Sequence, residues 1–147
     1  MIWHGIIRGR PVTKKNSGQI IFIRKNGKRK PTIIPSAAYR MYEESASWQL
    51  KPWQPAKPIQ RPVKLKALYY MENRVGWPDL VGLLQCTCDV LEKAEVLDND
   101  RLVILMDGSR IAGIDKQNPR VEITLEEVGL EDVSYQLDPK LRKRGTV

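Results

Sequence analysis

The chain is poor in the residues that build zinc sites and covalent staples. Its 147 residues include one histidine, His4, and two cysteines, Cys86 and Cys88. A zinc site needs a spaced set of Cys and His ligands, and none can be assembled here. Cys86 and Cys88 fall two apart in a stretch that reads as helix. Residues i and i+2 of a helix point in different directions, so no bridge between them is expected. A reducing cytoplasm is the expected setting. Long apolar runs are missing too. Nothing approaches the ~20 residues of a membrane-spanning helix. The start, MIWHGIIRGR, has no apolar run behind a charged region, so a secretory leader is not expected. No internal repeats are found. What is present, with 41% hydrophobic residues, suits one domain of ordinary size with a real core.

The net charge is +8, and it is unevenly placed. Residues 1–70 carry fifteen Lys and Arg against two Glu, Glu43 and Glu44. Residues 71–147 carry ten Lys and Arg against fifteen Asp and Glu. The first half therefore calls for an anionic partner, which nucleic acid, a membrane surface or an acidic protein would each satisfy.

Patterning predicts the elements. His4–Val12 reads as a strand. Gln19–Arg24 is β-rich, Asn26-Gly27 signals a tight hairpin turn, and Thr32–Ile34 can pair back. Lys14, Lys15, Arg24, Lys25, Lys28, Arg29 and Lys30 sit around this hairpin. They make either a finger for a DNA backbone or a solvated edge whose lysines deter aggregation. A helix is predicted over 36–50 with Ser36 as cap. Four prolines stiffen 51–62. Val63–Met71 alternates as a strand does. The strongest helix is predicted over 79–95, with strands at 101–106 and 120–126. The expected domain is 1–128, followed by a loosely ordered basic tail over 129–147.

Four aspartates mark the ends and middle of the strongest helix: Asp79, Asp89, Asp98 and Asp100. In a basic chain such acids either hold a divalent cation that phosphate also binds, or merely cap the helix and decorate a turn. At 1.5 Å per residue, Asp89 lies about 15 Å along the helix from Asp79, so the two cannot share one ion. The same reasoning puts Asp100 a helix length away, roughly 25 Å, and predicts composite sites in which Asp79 of one copy faces Asp100 of another.

The stretch 79–104, DLVGLLQCTCDVLEKAEVLDNDRLVI, resembles the core of the RusA-like Holliday-junction resolvases. In that family an Asp-Leu-Asp-Asn-Leu segment opens a helix that carries a Lys and a further Asp. A Lys-Ala-Gly-Val turn, an Asp pair and a strand follow. Asp79-Leu80 and Leu83 match the opening, and Asp89 the helical Asp. Lys93-Ala94-Glu95-Val96 matches the turn, and Asn99-Asp100 falls on the Asp pair. Gly9–Lys15 is similar to the family's basic start, and Asn118–Ile123 to its last strand. Val81, Gly82 and Gln85 stand where the family has Asp, Asn and Lys.

The resemblance implies a homodimeric nuclease that cuts four-way DNA junctions with Mg²⁺, or Mn²⁺ in its place. Its fold would be a mixed α/β (α+β) single domain, a small mixed sheet flanked by helices. Asp79, Asp100 and Asp98 are the candidate catalytic and metal-binding acids, with Asp98 a substitute for the missing carboxylate. Trp77 is a candidate for stacking on an unpaired base, although a loop Trp often packs on a core. Lys93 and Arg101 would either meet phosphate or pair with the nearby acids. The departures at 81 and 85 also admit a junction-binding relative with little or no cleavage. A module for an acidic protein would explain the charge but not the spaced aspartates.

Overall fold

A computed structural model describes residues 1–14 and 19–129, so Lys15 and the expected tail from 130 onward lie outside the described residues. The elements run β1 (Trp3–Arg8), β2 (Gln19–Lys25), β3 (Lys28–Ile34), α1 (Ala37–Leu50), β4 (Val63–Met71), α2 (Leu80–Lys93), β5 (Val103–Leu105), β6 (Arg110–Ile114) and β7 (Arg120–Glu127). Short 3₁₀ turns lie at Lys51–Trp53 and Asp100–Leu102. The fold is the mixed α+β single domain that the resemblance implies.

β4 is the spine. It pairs antiparallel with β7 on one side and parallel with β5 and then β6 on the other, and β1 lies beyond β7. Its alternating sequence explains this place: Val63, Leu65, Ala67, Tyr69 and Met71 are buried while the residues between them are half-buried. Val121, Ile123 and Leu125 of β7 and Trp3 and Ile7 of β1 join the same core. α1 contributes Ala46 and Leu50 to it, and α2 contributes Leu83, Cys88, Val90 and Leu91. Each fully buried Leu, Ile or Val side chain is worth ~1.5–3 kcal/mol over its exposed state. A one-residue slip of β4 would turn its whole buried row outward, which fixes the register.

Two expectations are corrected, and one strand is added. The first strand ends at Arg8 rather than Val12. There the Gln49 amide of α1 takes over both backbone groups of Arg8: Oε1 accepts from Arg8 N–H (2.7 Å) and Nε2 donates to its carbonyl (3.0 Å). The strand expected over 101–106 is only Val103–Leu105. The Asn99 side chain accepts the Arg101 N–H (2.9 Å) and turns the preceding residues into a 3₁₀ cap. Arg110–Ile114, left without an element by its pattern, is a strand on the far half of β4.

β5 and β6 thus behave as one edge strand broken by a turn. Ser109 bridges the break, its hydroxyl accepting from Ala67 N–H and donating to the Leu65 carbonyl, both at 3.0 Å. Removing it strands two backbone groups of β4. We expect Ser109→Ala to lose about 1–3 kcal/mol in urea unfolding. An unchanged midpoint would mean that water replaces the hydroxyl.

Candidate nuclease site at the start of the second helix

Pro78 and Asp79 open α2. Asp79 is extended (φ −69°, ψ 147°) and its carboxylate accepts the Gly82 N–H at 3.2 Å, so it serves as the helix N-cap. Gly82 lets this happen at close range, because a Cβ there would lie 3.0 Å from Asp79 Oδ1 and 3.4 Å from Thr13 Cγ2. The carboxylate also neutralises part of the positive end of the helix dipole.

The far end of the helix decides where Asp100 goes. Ala94 ends the hydrogen-bonded helix, and Glu95 adopts a left-handed conformation, φ +59°. Val96 N–H and Leu97 N–H then both return to the Leu91 carbonyl (3.0 and 3.2 Å). Leu97 forms a parallel bridge with Ile59, and Asp98 N–H donates to the Ile59 carbonyl (3.0 Å). The chain has reversed. Asp100 consequently lines a groove of about 370 Å³ with Val81, Leu84, Gln85 and Cys88 of α2 and with Val103 and Met106. Asp100 therefore stands against the flank of α2 rather than beyond its end, and Asp79 is not among the residues that line this groove. The turn at Glu95 sends the chain back alongside α2.

Val81 and Gln85 also line a second recess, with Thr13, Lys14, Gly82 and Cys86. These two residues form the ridge between Asp100 on one side and the N-terminal segment on the other. Val81 is 73% exposed, an apolar side chain held in water at the position where the resemblance expects an acid. Among the described residues no three Asp, Glu, His or Cys side chains are gathered closely enough to hold a metal ion. Asp98 is exposed on its turn rather than in the groove.

The structure divides the basic candidates. Lys14 is clamped to α2: Nζ binds Asp89 Oδ2 at 2.9 Å and lies 5.2 Å from the centre of the Tyr39 ring, while its N–H meets Cys86 Sγ at 3.4 Å. The hydrogen bond to Asp89 holds the ammonium above the ordinary lysine value. Asp89 thereby ties the N-terminal segment to the helix. Lys93 pairs with Glu43 of α1 at 2.6 Å, a partner far away in sequence. Arg101 is exposed beside Asp100. Trp77 is 42% exposed, its Nε1–H donating to the Asn73 carbonyl, so it is not a core tryptophan. Arg24, Lys25, Lys28, Arg29 and Lys30 are exposed on the β2–β3 hairpin and form no ion pair among the described residues. Burial, with the Asp100 and Asp89 charges adding to it, pushes the groove's Cys88 thiol up to about 12.

A small α+β domain with a basic hairpin and an acid-bearing groove along its central helix has the attributes of a nucleic-acid-processing protein. The family model described as Endodeoxyribonuclease RusA matches residues 9–126. The chain belongs to this RusA endodeoxyribonuclease family, and membership implies junction-resolving nuclease activity. A comparison with curated proteins finds no match.

Two stability outcomes follow. Asp79→Ala removes the cap and should cost about 0.5–2 kcal/mol, whereas Asp79→Asn keeps a good capping side chain and most of that stability. Equal losses in thermal unfolding would show that the charge, not the cap, is what matters. Glu95→Gly relieves a left-handed residue and should gain about 1 kcal/mol. A loss would mean that the bond from Gln54 Nε2 to Glu95 Oε2 (2.8 Å) outweighs the backbone.

Proposed function

We propose that the chain is a divalent-metal-dependent endonuclease for four-way DNA junctions, acting as a cytoplasmic homodimer in recombination and repair. The observation that carries this reading is the return of Asp100 to the flank of α2, in a groove shared with Val81 and Gln85, in a chain matched by a nuclease family. Mg²⁺ prefers hard oxygen ligands, keeps several of its waters and is commonly held by one or two carboxylates, so the oxygens of Asp79 and Asp100 suit it chemically. Asp98 is the third acid within the same stretch, and Mn²⁺ takes the same donors. When bound, such an ion supplies a Lewis acid for a phosphoryl oxygen and lowers the pKa of a bound water.

The chain's own residues supply the rest. Arg101 and the hairpin cations attract the DNA backbone, with the steep salt dependence that several phosphate contacts bring. Trp77, beside Pro78-Asp79 and partly open to solvent, offers a ring to an unpaired base. Asp79 does not line the groove that holds Asp100, so a homodimer would complete each site by setting Asp79 of one copy against Asp100 of the other. Two copies related by a two-fold axis then suit a two-fold junction.

The ridge residues favour a second reading. Val81 and Gln85 offer neither charge that the resemblance expects between Asp100 and the N-terminal segment. A junction-binding protein with little cleavage would need neither. Both readings are tested with labelled junction and linear duplex in Mg²⁺, Mn²⁺ and chelator. We expect paired, metal-dependent nicks in the junction alone, slowed at least about 100-fold by Asp100→Asn with binding retained. Tight junction binding without nicks, converted to cutting by Val81→Asp with Gln85→Lys, would establish the second reading instead. Equal affinity for junction and duplex would sink both.

A further inference from the structure

The β2–β3 hairpin carries more than charge. Its register pairs Ile20 with Ile33, Phe22 with Pro31 and Arg24 with Arg29. Directly opposed residues share a face, and alternate residues along a strand return to it. All six therefore lie on one side. That side is open: Ile20 is 69%, Phe22 56% and Ile33 75% exposed. On the other side Ile21, Thr32 and Ile34 are half-buried, and Ile23, nearer the turn, is 42% exposed. The hairpin forms its own two-stranded sheet, unpaired with the main one. Seven residues per strand give it a reach of about 23 Å, greater than the ~12 Å width of a DNA major groove.

An apolar face in water calls for an occupant, and the charge around it selects one. Residues 19–34 hold five cations and no acid. A second copy docked face to face would set these cations against each other. Bases released from their stack present flat apolar rings joined to an anionic backbone, complementary in both respects. The Arg29 guanidinium, 4.2 Å from the centre of the Phe22 ring, adds a planar cation to the same surface.

We propose that this face is a wedge: Ile20, Phe22 and Ile33 seat against bases unstacked at a DNA branch point while Arg24, Arg29 and the neighbouring lysines hold the flanking phosphates. Proteins that insert apolar side chains between base steps exploit the same exchange of stacking for contact. The inference rests on the reading that the chain binds branched DNA, and it does not require cleavage.

The test uses the full chain in chelator. Its probes are a four-way junction with 2-aminopurine at the branch point and a duplex of equal length. The parent protein should raise the fluorescence of the junction. Phe22→Ser with Ile33→Ser should abolish that rise and weaken junction binding about 10-fold while leaving duplex affinity and its salt dependence unchanged. Arg24→Ala with Arg29→Ala should weaken both substrates alike and reduce the salt slope by about two. The proposal is overturned if the parent binds the junction without a fluorescence change, or if the serine variant behaves as the parent does. It is equally overturned if that variant loses both substrates together and changes sedimentation mass, which assigns the face to a second copy. A parent that binds neither substrate refutes the underlying DNA reading as well.

Discussion

One residue's backbone controls the composition of the groove. Had the chain left α2 in an extended direction, Asp100 would have stood beyond the helix end, with only solvent for company. Glu95 instead turns left-handed, and the two amides that follow it share the Leu91 carbonyl. The resemblance matches Glu95 to a glycine, the residue that adopts this conformation without a steric penalty. Strain of order 1 kcal/mol at a single position is small against the burial of Leu91, Val96 and Leu97, all at or near zero exposure, which the same turn secures. Packing therefore outweighs backbone preference, and the acid is carried along as a consequence.

A similar competition sorts the basic residues. Cations close to acids on neighbouring elements are drawn into ion pairs, as with Lys14 on Asp89 and Lys93 on Glu43. Exposed pairs of this kind add little stability, but they fix where a long side chain points. Those two lysines are committed to joining the N-terminal segment and α1 to α2. Among the described residues no acid pairs with the hairpin cations, so their positive field is open to an outside partner.

The parts of this architecture that a reader of the sequence can find are those written as periodicity or as local chemistry. VKLKALYYM spells out β4 from end to end, Asn26-Gly27 places the hairpin turn at φ values of +55° and +74°, and Asp79 is visible as a cap. The parts that cannot be found depend on direction. RIAGI is too short and too evenly half-buried to show an alternation, and it becomes a strand only because β4 offers it an edge. The groove is equally hidden. Its walls come from residues twelve to twenty-five positions apart, and the dihedral angle that joins them belongs to a glutamate, whose left-handed turn is hinted at only by the glycine that the resemblance places there. Sequence spacing alone places Asp100 past the helix end and does not show the contact with the helix flank.

The broken strand beside β4 bears on how the molecule behaves among its own copies. An uninterrupted edge offers a continuous row of amides and carbonyls on which another sheet can grow. Here the row is cut between Leu105 and Arg110, and a serine hydroxyl occupies two of the hydrogen-bonding places on β4 itself. At the opposite edge the Gln49 amide occupies two more on β1. Side chains stand in for a neighbouring strand at both margins and interrupt the row on which another sheet could grow.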